Sequence, residues 1–167
     1  LLSEILAKPE LKQLLKIMVC PGSKWINKKL PIETWRSFLL KICQKWDSSF
    51  ILIWGNEEEK KECKLLNQSL DGRSILVGKL DIACWQNLMT KMDLILAVDS
   101  SALHLCGIGR TPSFSIFGPT SSRVFLPLGK QHAAFQGSCP YGKQFFKQCS
   151  RLRTCPTGAC IRGLDSE

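Results

Sequence analysis

Five short apolar runs punctuate the chain: Lys16-Ile17-Met18-Val19-Cys20, Phe50-Ile51-Leu52-Ile53-Trp54, Ser74-Ile75-Leu76-Val77-Gly78, Leu94-Ile95-Leu96-Ala97-Val98 and Ser113-Phe114-Ser115-Ile116-Phe117. The first four are near-continuous rather than alternating, the pattern of strands covered on both faces. Between them the apolar spacing changes to three and four. Trp35, Leu39 and Ile42, with Phe38 beside them, predict a helix over 32–46 that Pro31 is suited to start. Asn56 before Glu57, Glu58 and Glu59 predicts a capped helix with the acidic first turn its dipole favours. Asp81 is placed to cap a third helix over 82–92.

Strands alternating with helices in this way predict an α/β fold, a Rossmann-like parallel sheet with helices on both faces. Such sheets bind ligands outside the carboxyl ends of their strands. Leu2, Ile5 and Leu6, then Leu11, Leu14 and Leu15 beyond Pro9, read as short helical pieces, so residues 1–15 are expected to be a linker or connecting helix. The Rossmann-like domain is expected over 16–127. Beyond Pro127 the pattern dissolves into Gly, Pro, Cys and basic residues. Residues 128–167 therefore read as a tail packed on the domain, with one short helix near 144–148 and with His132 in a surface loop. The chain begins Leu-Leu-Ser-Glu with no Met, and an absent N-terminal portion is the expectation.

A net charge of +9, from 23 Lys and Arg against 14 Asp and Glu, favours an anionic partner. The basic residues are scattered apart from a concentration after Lys143, and no aromatic-interleaved basic motif of the RNA-binding kinds occurs, so nucleic acid is not expected. Nucleotide sugars, phosphorylated glycolipids and the acidic inner membrane face fit the charge. No apolar run approaches the roughly 20 residues of a membrane-spanning helix.

Of nine cysteines, Cys20, Cys43, Cys63, Cys84 and Cys106 fall in or beside apolar segments and read as small core residues of a reduced protein. Cys139, Cys149, Cys155 and Cys160 crowd the tail at spacings unlike the paired knuckles of common zinc sites, so no metal is expected there.

The stretch from Leu94 to His104 carries the chemistry. Leu94-Ile95-Leu96-Ala97-Val98 is a strand and Asp99-Ser100-Ser101-Ala102-Leu103 a helix entry, making a strand-to-helix turn. Asp99 then sits at a strand end as ligand or cap, Ser100 and Ser101 can cap the helix, and its first-turn amides suit a phosphate. His104 is one turn further on and faces the same crevice. An anionic ligand bearing hydroxyls suits such a site.

Taken in order, Pro21-Gly22-Ser23, Lys28-Lys29-Leu30-Pro31-Ile32-Glu33-Thr34-Trp35, Trp54-Gly55 with Glu59, Asp99-Ser100-Ser101-Ala102-Leu103-His104 and Phe117-Gly118-Pro119-Thr120 resemble the C-terminal half of the ADP-heptose:lipopolysaccharide heptosyltransferases, glycosyltransferase family 9. The resemblance runs over residues 16–164. It implies the donor-binding half of a two-domain GT-B enzyme that transfers heptose to the lipopolysaccharide inner core. It carries a donor phosphate or sugar contact onto Lys28, a ribose contact onto Glu59, and diphosphate and sugar contacts onto Asp99, Ser100, Ser101 and His104. Leu80 falls where the family packs an apolar side chain on adenine. By their own hydroxyls, Ser23 and Thr120 are further candidates to reach a phosphate.

Two positions depart from the family: Ser101 stands where glycine is common, and Leu30 where tryptophan or another aromatic is usual. The general base is expected in the missing N-terminal domain, so none is assigned here. No D-x-D motif occurs, and no cofactor or metal is expected. The implied partners are an ADP-sugar donor, a lipopolysaccharide-type lipid acceptor and that N-terminal domain. The implied location is the cytoplasm, with peripheral contact at the inner membrane face. The alternatives are a non-catalytic nucleotide-sugar-binding module and a metal-binding interaction domain centred on the four tail cysteines.

Overall fold

The computed structural model describes residues 1–164. Six parallel strands form one sheet: β1 (Leu15–Cys20), β2 (Ser48–Trp54), β3 (Ser74–Gly78), β4 (Leu94–Val98), β5 (Ser113–Phe117) and β6 (His132–Gln136). Their order is β3-β2-β1-β4-β5-β6. The chain works outward from β1 to β3, returns to β4 on the other side of β1, and continues outward. Between β1 and β4 the loops at the carboxyl ends diverge, leaving the crevice that open sheets of this kind use for ligands.

The near-continuous apolar runs are explained by the two cores. Met18, Cys20, Ile51, Ile53, Ile95 and Ala97 point to one face, where they pack with α1 (Leu2–Leu6), α4 (Ile82–Met89) and α5 (Ser101–Cys106). Ile17, Val19, Phe50, Leu52, Leu96 and Val98 point to the other, under α2 (Ile32–Lys45), α3 (Glu57–Gln68) and α7 (Ala159–Arg162). Each strand thus serves both layers by its two-residue alternation. Trp35 and Leu39 of α2 and Cys63 and Leu66 of α3 are buried at the helical spacing the sequence shows. The Asn56 side chain accepts from Glu59 N at 2.9 Å and Asp81 from Cys84 N at 2.7 Å, so both expected caps form.

Four details differ from the sequence reading. Ile5 and Leu11 are buried in the first core, and Leu15 already belongs to β1, so the opening segment lies against the sheet. The helix after Asp81 ends at Met89 rather than at 92. The tail contributes a sixth strand: His132 is only 6% exposed, pairing with Ser113 across the β5–β6 ladder while its Nδ1 lies 2.8 Å from Ser113 Oγ, so it is no surface-loop residue. No helix forms over 144–148. That segment runs back along the chain after β5, with Thr120 bridged to Gln148, Ser121 N donating to Lys147 O and Cys149 N to Pro119 O. The only tail helix among the described residues is α7, and the last three tail residues lie outside them.

Candidate functional site

A cleft of about 770 Å³ opens at the carboxyl ends of β1 to β4, within the size range of small-molecule sites. Its walls include Ser23, Lys28, Glu59, Leu80, Asp99, Ser100, Ser101 and His104. Residues that lie 81 positions apart in sequence are brought to one rim because four parallel strands end there.

Asp99, 3% exposed, is the hub. Its Oδ2 accepts from Lys28 Nζ at 2.6 Å and from the Thr120 hydroxyl at 2.6 Å. Its Oδ1 lies 3.7 Å from His104 Nε2. A buried carboxylate needs such partners, since an uncompensated one is strongly destabilising. The capping role considered for Asp99 is not the one observed: Ser100 occupies the N-cap of α5 and makes no side-chain cap bond. Ser100 Oγ is instead buried without a partner at the cleft. Thr120 is 1% exposed and is not among the residues lining this cleft; its hydroxyl donates to Asp99.

Glu59 is held from two sides. Its Oε2 accepts from Gly55 N at 2.8 Å, and its carboxyl group lies where a Cβ on Gly22 would stand, 2.4 Å from Oε1. Glycine at position 22 is what lets the strand-end loop and this side chain approach. Lys28 sits on a short 3-10 turn, Ile26–Lys28, whose Asn27 is 3% exposed. Asn27 Nδ2 donates to Leu152 O and to Cys155 O, each at 3.0 Å, which ties the turn to the tail.

Sequence reasoning missed the aromatic lining. Trp25, Trp54 and Trp85 all face the cleft, with Lys24 and Lys79. Trp54 carries Lys60 at 4.7 Å and Lys79 at 5.9 Å from its ring, and Trp25 carries Arg153 at 4.5 Å. These are cation–π contacts. Trp54 packs so close to its ladder partner Gly78 that a Cβ there would fall 2.1 Å from the indole. The available signal was Trp54 at the last position of an apolar strand.

The four tail cysteines line one small cavity of about 20 Å³ with Asn27, Pro119 and Phe145. All nine cysteines are free thiols, and among the described residues no three His, Cys, Asp or Glu side chains are grouped to hold a metal ion. Burial pushes the Cys160 thiol up to about 11, with its neighbouring cysteines adding to the rise. Cys155 goes the other way: the N–H of Gly158 donates to its sulfur at 3.3 Å and lowers its pKa, with bonds from Thr157 adding to the effect. Burial raises Cys20 and Cys106, and lifts Cys63 to about 12.

The sequence model of glycosyltransferase family 9 (heptosyltransferase) matches residues 6–154. The chain belongs to that family. The lipopolysaccharide heptosyltransferase 1 of Pseudomonas aeruginosa is 25% identical over 130 residues, covering 77% of this chain and 36% of that protein. Among solved structures, the Escherichia coli heptosyltransferase WaaC with ADP superposes with a TM-score of 0.66 at 18% identity, over 71% of this chain and 37% of that one. The E. coli ADP-heptose lps heptosyltransferase II gives 0.69 at 13% identity, over 95% and 46%. The chain therefore spans less than half the length of these family 9 proteins, and the structural likeness is one of fold.

Proposed function

We propose that this chain is the donor-binding half of a glycosyltransferase that transfers heptose to the lipopolysaccharide inner core, and that its cleft holds ADP-heptose or a close relative. The observation that carries the reading is the convergence of Lys28, Thr120 and His104 on the buried Asp99 carboxylate beside a cleft of about 770 Å³. A sugar diphosphate needs fixed cations and hydroxyls at one end and an apolar wall at the other. Lys28, Ser23, Ser100 and Ser101 supply the first, while Leu80 and the tryptophans supply the second. Glu59 is placed to accept from ribose hydroxyls. As the diphosphate leaves the anomeric carbon it gains negative charge, and Lys28 with His104 would stabilise that charge electrostatically.

The reading includes an acceptor sugar on a lipid, and a general base supplied by a domain outside this chain. It also takes the sheet from β1 to β6, with the opening segment packed on it, as the nucleotide-sugar domain, in the cytoplasm and in peripheral contact with the inner membrane. Calorimetric titration of the chain with ADP tests it. Saturable one-to-one binding that a nucleoside without phosphates does not reproduce is expected; absence of binding would overturn the reading. Turnover is expected only when the other half is supplied.

A further inference from the structure

Among the described residues only two Lys, Arg, Asp or Glu residues are buried: Lys29, 8% exposed, and Asp99, 3%. Both bear on one turn. Asp99, just past the end of β4, draws in Lys28 of the Ile26–Lys28 turn and is itself held by Thr120, two residues before α6 (Ser122–Phe125). Lys29, the next residue, is not among those lining the cleft. Its Nζ instead donates to Glu62 of α3, 2.8 Å from Oε1 and 2.7 Å from Oε2. On the other side of Lys28, Asn27 donates to the Leu152 and Cys155 carbonyls, and the Trp25 ring carries Arg153. Residues 25, 27 and 29 thus fasten the turn to the tail and to α3, while the Lys28 ammonium is left in the cleft.

A buried ion pair is weak evidence for stability, because desolvation offsets much of its Coulomb energy and a well-packed apolar pair of similar volume does as well. What the pair adds is direction: an ammonium against both oxygens of a carboxylate fixes a distance and a bearing that an apolar contact leaves loose. Glu62 lies three positions after Glu59 on α3, so about one helical turn separates the carboxylate at the cleft from the one that holds Lys29. We propose that Lys29 is a positioning residue: its pair with Glu62 sets the turn, and with it the Lys28 ammonium, at a fixed distance from Glu59. A ligand with a ribose at one end and a diphosphate at the other needs that spacing set before it binds, since a lysine ordered only on binding lowers affinity. The proposal rests on the donor reading above and adds to it a residue outside the cleft.

Calorimetric titration with ADP of the parent chain, Lys29→Met, Lys28→Met and the double variant tests it. Methionine keeps most of the lysine stem, and the Glu62 side chain left behind is 30% exposed, so water can reach it. Lys29→Met should weaken ADP binding about three- to tenfold, the range for one long side chain that must be ordered on binding. Lys29→Arg should restore most of it, because a guanidinium also donates to both carboxylate oxygens. In the Lys28→Met background, Lys29→Met should lower affinity no further, because the group it positions is gone. A further loss of the same size there would overturn the proposal, since Lys29 would then support the domain and not Lys28. Parental affinity in Lys29→Met would overturn it too. A measurement without ligand keeps this apart from the donor reading: acetylation of the Lys28 amine by acetic anhydride, followed by mass spectrometry, should run several-fold faster in Lys29→Met than in the parent, as the amine spends less time in its ion pair. If the parent fails to bind ADP, the donor reading falls and faster acetylation still supports the positioning; an unchanged rate overturns the positioning in either case.

Discussion

Lys28 Nζ and Asp99 Oδ2 lie 2.6 Å apart although 71 residues separate them in sequence, and the Thr120 hydroxyl reaches the same oxygen. The ammonium that would meet a phosphate is therefore oriented before any ligand arrives. Orienting a flexible lysine in advance removes an ordering cost from binding. Asp99→Ala should weaken ADP binding by about tenfold or more, the size of one charge-assisted hydrogen bond. Thr120→Val should weaken it less, because the Lys28 pair survives. Calorimetry on the three proteins checks the order; an Asp99→Ala variant with parental affinity would remove the carboxylate from the site.

The same pair bears on stability. Lys28→Met leaves the Asp99 carboxylate, 3% exposed, with the Thr120 hydroxyl and no adjacent lysine. Breaking one side of a buried pair in this way should cost about 3 kcal/mol, read from urea denaturation.

Gly78→Ala tests the packing behind the tryptophan wall. The new methyl would stand 2.1 Å from the Trp54 indole, so the ring must shift. A loss of about 1–3 kcal/mol is expected from the overpacking. The fluorescence of Trp54 should change with it, reporting a displaced cleft wall.

Burial depresses the pKa of His132, which is held between Ser113 and Gln131. The folded state then favours the neutral ring. Its contribution is fully present above the ordinary histidine range near 6.5 and is lost as pH falls below it, because the unfolded chain takes up the proton first. Stability measured at pH 7.5 and at 5.5 should show this fall, and His132→Gln should flatten it.

Cys155 should be the first thiol alkylated by iodoacetamide near neutral pH. The Gly158 N–H favours its thiolate, whereas burial raises Cys20, Cys63 and Cys160. Peptide mapping by mass spectrometry after brief labelling gives the order directly. Equal labelling of Cys155 and Cys63 would contradict the assigned environments.

The first five strands were legible because each must fill two cores at once, which leaves no room for polar positions in the middle of Phe50-Ile51-Leu52-Ile53 or Leu94-Ile95-Leu96-Ala97-Val98. β6 was not, because it fills neither core: its one buried residue is His132, and the rest are two alanines, a half-exposed Phe135 and Gln136, which leave no apolar run to read. The Lys143-Gln144-Phe145-Phe146-Lys147-Gln148 segment has helix-forming composition, yet its backbone is held by the segment after β5, a tertiary constraint that propensity does not register. At the site, eight of the nine proposed residues line one cleft. Their membership followed from strand ends; their roles did not. That Asp99 gathers Lys28 and Thr120 instead of capping a helix depends on two loops meeting in space, and the tryptophan wall depends on Gly78 making room across a ladder.

Asn27 adds a last consequence. Its amide spans the carbonyls of two tail residues while its neighbour Lys28 reaches into the cleft. The distant C-terminal segment is thus a strut behind the cation. A shortened chain could keep every motif of the cleft and still lose the lever that aims its ammonium.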